Sequence, residues 1–164
     1  MKILGKYPST RLRRVRNSDW VRRLISDTNL SVNDLILPIF LIEGKNKTEK
    51  IKSMPGVNRY SIDRMPKILD KAENLRIPMI SLFPNTPNRK KDKNGSEALN
   101  ENNLICRAIR FIKKKYKYFG IMTDVALDPY TSHGHDGIII NDKIDNDETL
   151  SLLNKQALLQ AATG

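Results

Sequence analysis

The residues best suited to chemistry lie in one short stretch, TDVALDPYTSHGHDG, which ends at Gly137. It contains three aspartates, Asp124, Asp128 and Asp136, together with the only two histidines of the chain. Carboxylates can orient an amine during proton transfer or bind a hard cation, and imidazoles can bind a softer metal such as zinc. The residues alone leave three interpretations open: a catalytic loop, a metal site, or a polar surface turn.

These interpretations differ in how well the residue types support them. A zinc site is poorly supported, because the stretch has no cysteine and His133 and His135 are only two residues apart. A cation site formed by Asp128 and Asp136 is chemically sensible, because Mg²⁺ prefers oxygen ligands. Asp124 directly follows an apolar run, where a carboxylate could orient an amine or a Schiff base. A turn-rich loop, in which the histidines only donate hydrogen bonds, accounts for the same pattern without any function.

Three strands and three helices are predicted to position this loop. Each strand is an apolar run, and each is followed by a polar loop and then by a helix with apolar residues three and four positions apart. The strands are expected at 35–42, 77–83 and 119–127, and the helices from Ser61 to Leu75, over about 101–118 and over about 147–162. In the last helix the inward residues are expected to be Leu150, Leu153, Ala157, Leu158 and Ala161.

Strands that alternate with helices in this way predict a parallel sheet with right-handed crossovers. The long loops all follow strands, so they are expected at the carboxyl ends of the strands, where α/β barrels and doubly wound sheets bind ligands. A complete barrel needs eight such units and about 250 residues. The pattern of three units therefore predicts the first part of a larger α/β fold.

Residues 1–33 form a segment of different character. They carry eight basic side chains against two acidic ones and lack a sustained amphipathic period. The sequence SDWVRRLISDT could supply two helical turns, with Ser18 as the N-cap and Trp20 on the apolar side. Such a segment cannot bury itself. We therefore predict an N-terminal arm over residues 1–33 that contacts another subunit, followed by the β/α units over 34–164.

Composition limits the class of protein further. The longest apolar run, LILPIFLI, is far shorter than the roughly 20 residues of a transmembrane helix, so no membrane partner is expected. Cys106 is the only cysteine. A lone cysteine excludes an internal disulfide and suits a reducing compartment, so a cytoplasmic protein is expected.

The net charge of +11 raises the alternative of a basic RNA-binding module. The run KKKYKY at 113–118 interleaves basic and aromatic residues, as proteins that bind single strands do. The same run fits the end of a helix, where lysines interact favourably with the helix dipole. The charge is also divided along the chain, since residues 119–164 carry seven acidic side chains against two basic ones. That division suits contacts between subunits, and no nucleic-acid partner is expected.

The stretch DVALDPYTSHGHDG also resembles the signature loop of the δ-aminolevulinic acid dehydratase (porphobilinogen synthase) family. RLRRVRNSDWVRRL resembles that family's N-terminal arm, and DLILPIFLIEG and IPMISLFP resemble its first two barrel strands. IKSMPGVNRYSID resembles the segment after the first strand, and GSEALNENNLICRAIR the loop and helix after the second. The resemblance runs in order from about residue 10 to residue 164, and motifs of this length and order are highly specific.

The resemblance implies that this chain is the N-terminal half of a TIM barrel, (β/α)8, preceded by an extended arm. Members of the family are lyases of haem and tetrapyrrole biosynthesis, in which two molecules of 5-aminolevulinate condense to porphobilinogen. The arm wraps a neighbouring subunit, usually in a homo-octamer. Arg13, Arg14 and Trp20 are the arm residues from which subunit contacts are expected.

The resemblance also implies a role for Asp124, which matches the family's active-site aspartate near the substrate that is bound as a Schiff base. The three cysteines of zinc-dependent members are replaced here by Ala126, Asp128 and Asp136. The sequence therefore resembles the aspartate-rich, magnesium-using branch, and no zinc is expected. In that branch the allosteric Mg²⁺ binds through a residue in the second half of the barrel, outside this chain.

Four further loop residues, Asp128, Ser132, His135 and Asp136, are expected to contact substrate or an ion, with the two aspartates as candidate metal ligands. The family's two Schiff-base lysines are expected beyond residue 164. This chain alone is therefore expected not to form porphobilinogen. The other alternative is a non-catalytic fragment that docks onto full-length subunits.

Overall fold

The computed structural model describes residues 5–164. These residues divide into two units, one that extends to Ser31 and one over Val32–Gly164. The sequence prediction places the boundary two residues later, between 33 and 34. No helix within the described range is long and apolar enough to cross a membrane.

The described part of the first unit has one short α-helix, and the second unit has three α-helices and seven strands. The helices are α1 (Asp19–Leu24), α2 (Pro66–Asn74), α3 (Leu104–Lys115) and α4 (Asn146–Thr163). The strands are β1 (Ile36–Ile42), β2 (Thr48–Lys50), β3 (Asn58–Tyr60), β4 (Met79–Asn85), β5 (Gly120–Thr123), β6 (Ile138–Ile140) and β7 (Lys143–Asp145).

Three of these strands form the predicted parallel arrangement. β1 and β4 pair in parallel over all seven residues of each strand. β5 pairs in parallel with the first part of β4, and this pairing ends where Thr123 lies opposite Leu82. The carboxyl ends of β1, β4 and β5 therefore lie at the same end of the sheet, from which the aspartate-rich loop leaves.

The sheet contains two more strands than the sequence predicts, in the order β2-β3-β1-β4-β5. β3 pairs in parallel with β1, and β2 forms an antiparallel edge beside β3. Between the strand at 35–42 and the helix that begins at Ser61 the sequence predicts only a polar loop, and this is wrong at β2 and β3, because strands of three residues are too short to show an alternating pattern. The predicted strand over 119–127 is too long, because its pairing with β4 stops at Thr123.

The main core lies between the parallel sheet and helices α2 and α3. The side chain of Asn103 is the N-cap of α3, since it accepts a hydrogen bond from the Cys106 N–H at 2.8 Å. The core residues are Ile39, Leu41, Met65, Leu69, Ala72, Ile80, Leu82, Leu104, Ile105, Ala108, Ile109, Ile112, Tyr116 and Phe119. Each large aliphatic side chain buried here contributes about 1.5–3 kcal/mol relative to an exposed one.

The unit that extends to Ser31 has no buried residue within its described part. Trp20, on α1, is 65% exposed. Ser18 precedes α1 in an extended conformation but makes no side-chain capping hydrogen bond, so the predicted N-cap interaction is absent. The described part of this unit therefore leaves its apolar side chains in solvent.

Candidate active-site loop

The aspartate-rich loop begins at the carboxyl end of β5. Asp124 is the first residue after the strand, and its side chain is exposed. Four other predicted site residues, Asp128, Ser132, His135 and Asp136, are exposed on the same loop. The sequence prediction that the loop follows a strand is confirmed, and the loop lies at the end of the sheet where α/β folds bind ligands.

Internal hydrogen bonds fold this loop onto itself. The Asp136 carboxylate accepts a hydrogen bond from the Leu127 N–H. The Thr131 hydroxyl donates to the His135 carbonyl at 2.8 Å, and the Thr131 N–H donates to the Leu127 carbonyl at 2.9 Å. Leu127 and Tyr130 are buried and form a second small apolar cluster with Ala98 and Ile138. The loop that carries the exposed polar residues is therefore anchored by a small buried apolar cluster.

The three aspartates of the loop interact electrostatically. Asp128 is exposed as a residue, but the protein around its carboxyl displaces some of the water there, and this desolvation raises the pKa of the carboxyl; the charges of Asp136 and Asp124 raise it further. Burial also raises the pKa of the Tyr130 hydroxyl, and nearby charges, those of Asp124 and Asp128 among them, raise it further. Of the three aspartates that the sequence analysis selected, Asp128 is therefore the one whose carboxyl is influenced by both of the others.

The two histidines take part in the loop's own hydrogen bonds. His133 Nδ1 accepts from the His135 N–H at 3.1 Å, and His133 Nε2 lies 3.3 Å from the Lys93 carbonyl oxygen. Their ring centroids are 5.6 Å apart. These contacts correspond to the interpretation in which the histidines stabilise the loop.

The long loop after β4 packs against the aspartate-rich loop. Asp92 and Thr131 form an isolated parallel bridge, and the Ser132 N–H donates to the Asp92 carbonyl at 2.8 Å. The Asp92 carboxylate in turn accepts from the N–H groups of Asn94 and Ser96, at 2.9 and 3.0 Å. The hydrogen bonds of Asp92 therefore join two loops that leave neighbouring strands.

Helix α4 contacts the aspartate-rich loop through polar side chains, which the sequence analysis missed. Its buried residues are Thr149, Gln156 and Gln160. Five apolar residues were expected to face inward instead, and three of these, Leu150, Leu158 and Ala161, are exposed, while Leu153 and Ala157 are half-buried. The expectation is wrong for the three exposed residues, because the buried face of the helix covers backbone carbonyl and amide groups, which need hydrogen-bond partners. Leu153 does pack inward, against the small apolar cluster of the loop.

A network of four charged side chains lies beside the carboxyl end of β1, and it was also missed. Glu43 follows β1 and accepts hydrogen bonds from Lys90 at 2.9 Å and from Arg107 at 2.7 Å. Lys90 also donates to Glu97 at 2.8 Å. The network links β1, both ends of the loop after β4, and α3. An acidic residue directly after the first strand is the signal that could have indicated it.

The comparisons with known proteins agree with this geometry. The family model described as Delta-aminolevulinic acid dehydratase matches residues 9–164. The chain belongs to this family. The Delta-aminolevulinic acid dehydratase of Bradyrhizobium diazoefficiens is 51% identical over 154 residues, which are 94% of this chain and 44% of that protein. The protein of the same name from Chlamydia pneumoniae is 40% identical over 156 residues, 95% of this chain and 47% of that protein.

A solved structure of the same family matches the fold. It is the delta-aminolevulinic acid dehydratase (porphobilinogen synthase) of Toxoplasma gondii ME49, in complex with the reaction product porphobilinogen. The two chains superpose with a TM-score of 0.88 and 35% identity, over 94% of this chain and 44% of the other. The predicted fold is confirmed as the N-terminal part of a TIM barrel. The chain spans about half the length of these relatives.

The candidate metal ligands of this dehydratase-family chain are Asp128 and Asp136. Within residues 5–164, no three side chains of His, Cys, Asp or Glu lie close enough together to hold a metal ion. The Asp136 carboxylate is already engaged by the Leu127 N–H. That Asp128 and Asp136 bind a cation stays a prediction.

The arm residues of this dehydratase-family chain lie in the first unit. Arg13 and Arg14 line a cleft of about 620 Å³ together with Tyr7 and Arg11. The Arg11 guanidinium lies 5.2 Å from the centre of the Tyr7 ring. That Arg13, Arg14 and the exposed Trp20 contact another subunit stays a prediction.

Proposed function

We propose that this chain supplies the arm and the first β/α units of a porphobilinogen synthase that condenses two molecules of 5-aminolevulinate. The observation that carries the proposal is the position of Asp124 at the carboxyl end of β5, on the loop that also carries Asp128 and Asp136. The dehydratase that superposes on this chain was solved with porphobilinogen bound.

In this proposal Asp124 accepts a hydrogen bond from the amine of a substrate that is held as a Schiff base, and so orients it for proton transfer. Asp128, Ser132, His135 and Asp136 contact the substrate or an ion. The nucleophilic lysines belong to strands beyond this chain. Lys90 is not suited to that task, because hydrogen bonds to Glu97 and Glu43 raise the pKa of its amine. A Schiff-base lysine needs the opposite shift.

The cation proposed for the whole protein is Mg²⁺, bound outside this chain, with no zinc. The oxygen-only donors at Asp128 and Asp136 fit a hard cation better than a soft one. We also propose a cytoplasmic homo-oligomer, with an octamer as the expected assembly. The exposed arm supports this, because it leaves Trp20 available for a partner. No nucleic-acid partner is proposed.

A hybrid enzyme tests the proposal. Residues 9–164 of this chain would replace the matching segment of the Bradyrhizobium diazoefficiens dehydratase, and pyrrole formation from 5-aminolevulinate would be measured with Mg²⁺ present. We expect the hybrid to form porphobilinogen, and Asp124→Asn to lower kcat by about 10²–10⁴-fold.

The exposed Asp142→Asn variant is the control and should keep the activity of the hybrid. The 164-residue chain by itself should form no pyrrole. A folded hybrid that is inactive, or one in which Asp124→Asn has no effect, would contradict the proposal.

A further inference from the structure

We propose that Gln156 and Gln160 of α4 are positioning residues, which hold the backbone after β5 so that Asp124 and Asp128 are presented at the end of the sheet. Gln160 Nε2 donates to the Asp124 carbonyl, and Gln156 Nε2 donates to the Ala126 carbonyl, each at 3.1 Å. The catalytic consequence of this inference rests on the proposed function, but the structural part does not.

The spacing of the two glutamines matches the spacing of the two carbonyls. Residues four apart on a helix lie about 6 Å apart along its axis, on the same face. Carbonyls two residues apart in an extended chain point to the same side and are about 6.6–6.8 Å apart. Because α4 returns antiparallel to β5, Gln160 meets Asp124 and Gln156 meets Ala126. The axial spacing of the two glutamines and the spacing of the two carbonyls therefore match over one helical turn.

The segment needs this support because the sheet no longer holds it. Pairing between β5 and β4 stops at Thr123, so the backbone of Asp124 and the residues that follow lies outside the ladder. Gln160 makes a second hydrogen bond at this point, because its Oε1 accepts from the Thr123 hydroxyl at 2.9 Å. It therefore joins the last residue of the strand to the first residue of the loop.

Burial makes these two side chains effective as supports. Gln156 is fully buried and Gln160 is 5% exposed, so water does not compete for their amides. Gln160 uses both its donor and its acceptor, whereas Gln156 Oε1 has no hydrogen-bond partner among the described residues. Loss of Gln160 should therefore have the larger effect.

A third polar residue fixes the far end of the loop to the same helix. The Thr149 hydroxyl accepts from the Ile138 N–H at 2.9 Å and donates to the Asp145 carbonyl at 2.5 Å. Thr149, Gln156 and Gln160 are the buried residues of α4. The helix thus contacts the loop where it begins, through the glutamines, and where it ends, through the threonine.

Amide hydrogen exchange of the 164-residue chain tests the structural part. The readout is the Leu127 N–H, which is bonded to Asp136 and depends on the position of the segment. We expect Gln160→Met to speed its exchange at least about fivefold, the effect of losing a hydrogen bond of ordinary strength, and Gln156→Met to have a smaller effect. Exchange in β1 and β4 should not change.

Asn154→Leu is the matched control, because Asn154 is an exposed carboxamide on the same helix. It should leave the exchange of Leu127 unchanged. Unchanged exchange of the Leu127 N–H in Gln160→Met would overturn the inference, because the glutamine would then not hold the segment after β5. An equal increase in exchange throughout the sheet would also overturn it, because the glutamine would then affect only global stability.

The hybrid enzyme tests the catalytic part. Gln160→Met should lower kcat about 10- to 100-fold and change KM less than about twofold, because a misplaced Asp124 affects the reaction more than binding. Equal losses in the Asn154→Leu hybrid, or an unchanged kcat in Gln160→Met, would overturn this part. If the hybrid with Gln160 intact forms no pyrrole, the proposed function fails, while the exchange result still decides whether the glutamines hold the segment.

Discussion

Helices α3 and α4 occupy equivalent places in successive β/α units, yet they bury opposite kinds of side chain. α3 buries six residues, all apolar: Leu104, Ile105, Cys106, Ala108, Ile109 and Ile112. α4 buries Thr149, Gln156 and Gln160 and leaves Leu150 and Leu158 exposed. The reason lies in what each helix covers. α3 covers paired strands, whose backbone groups are already satisfied, whereas α4 covers a loop, whose backbone groups are not.

α3 therefore serves the stability of the fold, and α4 serves the geometry of the site. An apolar face stabilises in proportion to the area that it removes from water, and this stabilisation has no preferred direction. Hydrogen bonds to particular carbonyls fix a segment in one position, and a buried group that loses its partner is costly. The aspartates stand on the loop that receives such bonds.

The largest effect is expected when the apolar face of α3 is broken. Ile112 is fully buried, so Ile112→Ala should lower the free energy of unfolding by about 2–5 kcal/mol. Leu158→Ala on α4 is the control, since Leu158 is 72% exposed, and it should change stability by less than about 0.5 kcal/mol. Urea unfolding followed by circular dichroism measures both. Equal losses of unfolding free energy in the two variants would mean that α3 and α4 do not differ in how much their apolar side chains stabilise the fold.

The polar face of α4 is tested at Thr149. Thr149→Val keeps the shape but removes the hydroxyl that bonds Ile138 and Asp145, so it should cost about 1–3 kcal/mol of unfolding free energy. Thr149→Ser retains the hydroxyl and should recover most of the loss. If valine is as stable as threonine in urea unfolding, the hydroxyl does not hold the end of the loop.

The ion pair between Arg107 of α3 and Glu43 should make the free energy of unfolding depend on pH. Burial raises the pKa of the Glu43 carboxyl, but hydrogen bonds from Arg107 and Lys90 outweigh it, and the net pKa is below its ordinary value of 4.5. A carboxyl with a lowered pKa stabilises the folded chain while it is ionised, and this contribution is lost as the pH falls through the folded pKa.

Glu43→Gln should therefore cost about 1 kcal/mol at neutral pH. The difference from the unsubstituted chain should shrink as the pH falls below the ordinary value of 4.5 and approach zero once the pH is below the folded pKa. Unfolding free energies measured across this pH range check it. A difference that persists undiminished at low pH would show that the charge is not the source of the effect.

The smallest expected effect is a change in pKa within the loop. Asp136→Asn removes one of the charges that raise the pKa of Asp128, so that pKa should fall, while burial keeps it above the ordinary value. The asparagine oxygen can still accept from the Leu127 N–H. Carboxyl ¹³C NMR titration measures the change, with Asp142→Asn as control. An unchanged Asp128 pKa would mean that the carboxylates are not close enough to interact.

The sequence predicts much of this molecule, and the errors have physical causes. The runs over 35–42 and 77–83 predict β1 and β4 to within two residues, because long apolar strands give a strong pattern. β3 is missed because Asn58–Tyr60 is short and mostly polar, and only its pairing with β1 and β2 makes it a strand. The face of α4 is predicted wrongly because periodicity finds leucines, and nothing in the spacing shows that the partner is a loop.

Some residues of the site could likewise be predicted from the sequence, and others could not. Asp124, Asp128 and Asp136 could be selected from the sequence because a strand followed by clustered carboxylates is a local pattern. Gln156 and Gln160 lie about 30 residues further along the chain and have no local signal. Glu43, Lys90 and Arg107 meet only because three parts of the chain converge at the carboxyl end of the sheet.

A crystal structure of the hybrid enzyme with 5-aminolevulinate bound tests most directly whether Asp124 contacts the substrate. We predict that an Asp124 carboxylate oxygen lies within hydrogen-bond distance of the substrate amine, about 2.6–3.2 Å, while the Asp124 carbonyl still accepts from Gln160. A substrate bound away from the aspartates, with the loop after β5 facing solvent, would contradict it.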